Sequence, residues 1–146
     1  MESSKKAWIL ASTFGLVGAV GCGVISTVVS AIAVTISDPN DFWFMLADIA
    51  SGVFTSIMAT IGFRCGKGEL KTIKEMRQFM WLSTALGASS VAISIGLLFL
   101  LAAILGATIE PFDQNLILEI MFGALGGRFA ARYYMRSRYA TKKVMS

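Results

Sequence analysis

Two carboxylates stand inside apolar runs, Asp48 and Glu119. A carboxylate within a lipid-spanning segment is costly, so it usually faces a bundle interior, a water-filled cavity or a partner charge. The chemistry it can then support is ion or proton binding. The competing reading is structural: a wet carboxylate near an interface, or a neutral one hydrogen-bonded to hydroxyls such as Ser26, Ser30, Ser90 or Ser94. The structural reading is the more usual one, but no Lys or Arg is expected at the same depth to neutralise either group, which keeps the ion or proton site open.

Other chemistry is sparse. Histidine is absent, which removes the commonest general base and transition-metal ligand. No nucleophile–base pair is evident, so the chain does not read as an enzyme, and no cofactor or metal is expected. Cys22 lies mid-span and Cys65 in a basic loop, too far apart to suggest a disulfide. Gly62-Phe63-Arg64-Cys65-Gly66-Lys67-Gly68 superficially looks like a phosphate loop, yet lacks the required spacing and the Ser or Thr after Lys.

The elements that position the carboxylates follow from composition. Of the 146 residues, 55% are hydrophobic and 15% charged, against about 25% charged in soluble domains. An all-α integral membrane protein with four transmembrane helices is expected, arranged as two tandem, duplicated hairpins. The first hairpin takes residues 1–63, with spans 7–36 and 42–63, and a basic amphipathic cytoplasmic linker takes 64–78. The second hairpin takes 79–135, with spans 79–109 and 116–135, and residues 136–146 form a basic cytoplasmic tail. About 20 apolar residues cross the hydrocarbon core. The fourth stretch meets this least well, because Glu119, Arg128 and Arg132 interrupt it. Lys5-Lys6 followed by an apolar run also suggests a signal peptide cleaved after Ala31-Ile32-Ala33, but the run is longer than the usual 7–15 residues.

Basic residues orient the helices. All 13 fall at the N-terminus, in the central linker, or from Arg128 onward. The turns Ser37-Asp38-Pro39-Asn40-Asp41 and Glu110-Pro111-Phe112-Asp113 carry none. By the positive-inside rule both termini are cytoplasmic, in a plasma or inner membrane. Arg128 and Arg132 are placed toward the cytoplasmic end of the fourth span, where they can snorkel. With Arg136, Arg138, Lys142 and Lys143 they read as contacts to anionic headgroups. A nucleic-acid role for this segment is the less favoured reading.

The two halves align. At an offset of 73, Trp8 falls on Trp81, Ala19 on Ala92 and Gly23 on Gly96; past the turns, at 71, Asp48 falls on Glu119 and Gly52 on Gly123. From each carboxylate, small or hydroxyl residues follow at +4, +7, +8, +11 and +12, one face of a helix. A pseudo-two-fold axis normal to the membrane would relate the hairpins. Gly15, Gly23, Gly52, Gly123 and Gly127 are read as helix-packing positions.

Two hairpins with a Gly-rich first helix and a carboxylate on each second helix resemble the organisation of the duplicated proteolipid of rotary ATPases. The run Gly15-Gly18-Gly21-Gly23 is looser than that family's alternating glycines, and Asp48 and Glu119 lie nearer one membrane face than its ion carboxylate. The small size, cytoplasmic termini and basic tail are similar to those of phage holins. Short paired helices with little soluble mass are similar to subunits of secretion and conjugation machines. The leading expectation is an oligomeric channel or transport component with Asp48 and Glu119 lining or gating the path. As so small a bundle has little room for a private path, pores are expected between copies of a homo-oligomer. The alternatives are a non-conducting subunit packed against other members of a secretion or conjugation complex, and a holin-like lysis or exclusion protein.

Overall fold

A computed structural model describes residues 2–36, 41–106 and 114–145, with side chains described over 2–32, 42–106 and 116–138. Turn residues 37–40 and 110–113 and the side chains of Lys142 and Lys143 lie outside those limits, whereas Ala31-Ile32-Ala33, the alternative cleavage site, lies within continuous helix. Four α-helices account for the described secondary structure: α1 (Glu2–Ile36), α2 (Asp41–Cys65), α3 (Ile73–Ile104) and α4 (Gln114–Met145). Three of them, α1, α2 and α3, are long and apolar enough to cross a membrane. Against the expectation of four such helices, α4 has the length, 32 residues, but not the apolarity. Glu119 and the arginines at 128, 132, 136 and 138 dilute every window along it.

Large apolar side chains point outward and small ones inward. Ile9, Val17, Ile25, Trp81 and Leu100 are exposed, whereas Ala7, Ala11, Ala19, Ala59 and Ala131 are completely buried. A soluble bundle would show the opposite arrangement. Lipid solvates the large side chains, so close packing of small ones becomes the main source of helix association. The protein is therefore a helical membrane protein.

The helices follow one another around the bundle in the order α1, α2, α4, α3. Helix α2 also meets α3 across the centre, and among the described residues α1 and α4 do not touch. A two-fold axis normal to the membrane through the bundle centre would put α1 opposite α3 and α2 opposite α4. Each of these pairs is instead adjacent, which that two-fold arrangement does not allow.

The second helices keep the expected register. Gly52 and Gly123, at the offset of 71, are both at interhelical contacts, Gly52 against the Gly123 carbonyl of α4 and Gly123 against Gly87 and Val91 of α3. Buried positions Gly52, Thr55 and Ser56 match buried Gly123, Gly126 and Gly127. The first helices do not keep an offset of 73. Ala19 is buried but Ala92 exposed; a Cβ on Gly23 would strike Ile93, whereas Gly96 has open space around it. The burial pattern repeats at 72, matching Ala7, Ala11, Gly15, Gly18 and Ala19 with Phe79, Ser83, Gly87, Ser90 and Val91. One residue is about 100° of helix rotation. Aligning the two tryptophans thus turned the wrong faces together.

The glycine-rich end of α2 is a helix stop. Gly68 N–H donates to the Phe63 carbonyl (3.0 Å) and Lys67 N–H to that of Arg64 (2.9 Å), with Lys67 left-handed at φ 54°. These are the two bonds of a Schellman motif. Helix α3 then opens on a capping box: Thr72 Oγ1 accepts from Glu75 N–H (3.2 Å), and Glu75 Oε2 from Thr72 N–H (3.1 Å). The helical part of the linker is consequently the first turns of α3, with no separate interfacial helix. The segment expected as a tail continues α4 as helix to Met145.

Candidate functional site

The bundle centre is held by glycines against backbone. A Cβ on Gly52 or Gly87 would collide with the Gly123 carbonyl, and one on Gly127 with the Ser83 carbonyl. On the other side, Gly15 is occupied by Leu86 and Gly23 by Ile93. All five glycines singled out by their spacing thus stand at interhelical contacts.

This close approach brings hydroxyls to the axis. Ser51 Oγ donates to Ser90 Oγ (2.9 Å), linking α2 to α3. Thr27 Oγ1 donates to the Gly23 carbonyl (2.7 Å) and lies 3.3 Å from that of Ser94. Thr55 Oγ1 returns to the Ser51 carbonyl (2.8 Å). Deeper along the bundle, Ser56 Oγ and Ser83 Oγ are buried without a hydrogen-bond partner among the described residues. Each such group incurs a desolvation penalty of about 1–3 kcal/mol unless water or a ligand reaches it.

Toward the end where α1 passes to α2 and α3 to α4, the four helices border a cavity of about 490 Å³. All four contribute: Ser30 from α1, Phe44 and Asp48 from α2, Ser94 and Phe99 from α3, Glu119 from α4. The two carboxylates, 71 residues apart in sequence, border the same space. Asp48 is only 8% exposed, and its Oδ2 has no hydrogen-bond partner among the described residues. Glu119 is half-buried. The cavity lies inside one chain.

The opposite end is filled. Trp8 of α1, Phe63 of α2, Phe79 of α3 and Tyr134 of α4 form a chain of ring contacts. Centroid separations are 5.3 Å for Trp8–Phe63, 5.4 Å for Phe63–Phe79 and 5.9 Å for Phe79–Tyr134. Such spacings give edge and tilted packing. Fully buried Ala7, Ala11 and Ala131 close the gaps around the rings. Sequence reasoning did not single out this cluster, although its signal was present. Each ring stands within a few residues of the basic boundary marked by Lys6, Arg64, Arg77 and Arg136.

The basic residues take a different place. Arg128 and Arg132 are exposed on the outer side of α4. There they border a lateral hollow of about 500 Å³ with Ile49, Leu125 and Phe129. Gly127, next to Arg128, packs on Ser83 and Gly87, more than a turn from the aromatic end. Arg136 is also exposed, and the Arg138 guanidinium lies 5.8 Å from the Tyr134 ring centre. Among the described residues, none of these arginines forms an ion pair; Lys71 with Glu69 does, at 3.3 Å. No grouping of potential ligands able to hold a metal occurs among the described residues. No family model, curated protein or solved structure matches this chain.

Proposed function

We propose that the protein is a membrane transport component in which Asp48 and Glu119 bind and release a cation or proton within a one-ended cavity. The observation that carries this reading is the unpartnered Oδ2 of buried Asp48 at the wall of a cavity shared by all four helices. A carboxylate serving only to hold helices together would spend its oxygens on hydroxyls, and Ser51 and Ser90 bond each other instead. Helix α4 spans the membrane with the rest, its polar residues tolerated because Glu119 borders the cavity and the arginines reach one headgroup layer. Both termini are cytoplasmic, so the cavity opens outward and the aromatic cluster closes the inner end. Exposed Gly21 and Gly96, with nothing near them, leave room for close self-association. The arginine stripe of α4 meets anionic headgroups.

The test is flux in proteoliposomes, comparing wild type with the double variant Asp48→Asn/Glu119→Gln. Proton or cation flux lost in a variant that still folds supports the reading. No flux from well-folded wild type would move the function to a non-conducting subunit of a larger membrane complex.

A further inference from the structure

We infer that the cavity takes an organic cation, its charged centre held by Asp48 and Glu119 and its apolar body against Phe44, Leu98, Phe99 and Leu105. This rests on the transport reading above and adds the class of substrate. Three features of the space decide it. The first is charge: among the described residues no basic side chain borders the cavity, and two carboxylates do. An anion is disfavoured, and a neutral apolar occupant would leave Asp48 Oδ2 desolvated and unmatched.

The second is the wall. Beyond the carboxylates and the hydroxyls of Ser26, Ser30 and Ser94, the lining is alkyl and aromatic. A bare inorganic cation needs a shell of about six oxygens close around it. Here the space the described oxygens border, about 490 Å³, is far larger than a single ion requires. Ligand sites for small organic molecules have this size and this mostly apolar lining, with a few polar groups that fix orientation. Phe44 and Phe99 additionally offer ring faces to a cation.

The third is access. A second hollow of about 370 Å³ between α1 and α2 shares Ser26, Ser30, Phe44 and Ala47 with the first. It is lined further by Ile25, Val29 and Trp43, and Trp43 is 67% exposed on the outer surface of the bundle. A lipid-soluble cation partitioned into the outer leaflet thus meets the bundle surface beside a hollow that shares a wall with the site. A hydrated inorganic ion gains nothing from this side entrance.

The test is equilibrium binding of tetraphenylphosphonium to the purified full chain in lipid nanodiscs. Tetraphenylborate, of similar shape and opposite charge, is the control. Saturable binding is expected, weakened by at least about tenfold in Asp48→Asn, as for removal of one partner of a buried charge pair. Tetraphenylborate should not compete. Leu98→Trp, which fills the cavity without changing its charge, should also weaken cation binding. Non-saturable uptake, equal binding by Asp48→Asn, or equal competition by tetraphenylborate overturns the inference. If wild type shows carboxylate-dependent flux of protons or sodium but no such binding, the substrate class is wrong and the transport reading stands. If both are missing, both fail. Circular dichroism and gel filtration establish folding of each variant; should Leu98→Trp misfold, the charge-reversed control on wild type decides alone.

Discussion

The two ends of this bundle are built from the same four helices and yet are packed in opposite ways. At one end each helix contributes an aromatic ring, and Trp8, Phe63, Phe79 and Tyr134 fill the centre. At the other end the same four helices leave a cavity and place Asp48 at its wall. Between them the axis narrows to glycine against backbone, with Gly52, Gly87, Gly123 and Gly127 in contact. The contrast shows where the fold is fastened and where it is left open. Close packing of the middle and the ring end holds the helices in register beside the cavity at the carboxylate end.

Fastening should be easiest to break at the middle. Gly123→Leu puts a side chain into the Gly87 carbonyl and the Val91 side chain. The expected cost exceeds about 4 kcal/mol, the range of severe core disruption, read as loss of the folded species on gel filtration. An unaffected protein would mean that α4 does not pack there. At the ring end, Phe79→Ala removes the ring that touches three others. A loss of about 3–5 kcal/mol is expected for a buried Phe, measured by thermal unfolding in detergent, together with an ion leak through the opened end. At the carboxylate end, Ser94→Ala should cost less than about 1 kcal/mol, since the retained Ser94 carbonyl is the group that faces Thr27. Outside the bundle, Thr72→Ala removes the capping-box acceptor of α3 and should cost about 1 kcal/mol. Smallest of all, neutralising Lys142 and Lys143 should leave transport activity unchanged if that segment only contacts headgroups.

What could be read in the sequence divides along the same line. Residue types with a strong penalty announced themselves: carboxylates in apolar runs, glycines at helical spacing, and basic residues confined to one side. The α2–α4 register followed from those small residues, because a glycine packed on backbone tolerates no substitute. The α1–α3 register did not follow. Trp8 and Trp81 looked equivalent, yet Trp8 packs on Phe63 and Phe79 while Trp81 is 65% exposed. Lipid permits large side chains outside, so a tryptophan carries no information about facing. The cavity was not legible either. Its volume depends on the splay of four helices and on side chains such as Phe99 and Leu105 from distant parts of the chain. The order of helices around the bundle likewise depends on which small-residue faces meet, and each helix carries more than one.

The most direct measurement is one-sided thiol labelling along the axis. With Cys22 and Cys65 replaced, Ser30→Cys and Ser94→Cys line the cavity, while Ala11→Cys lies behind it among the residues around the rings. In oriented vesicles, a bundle open at the carboxylate end and closed by aromatics predicts that a small impermeant reagent modifies positions 30 and 94 from the outer face only. Ala11→Cys should resist it from that face. Reaction at position 11 from the outer face, or complete protection of 94 in a folded protein, would contradict a one-ended cavity.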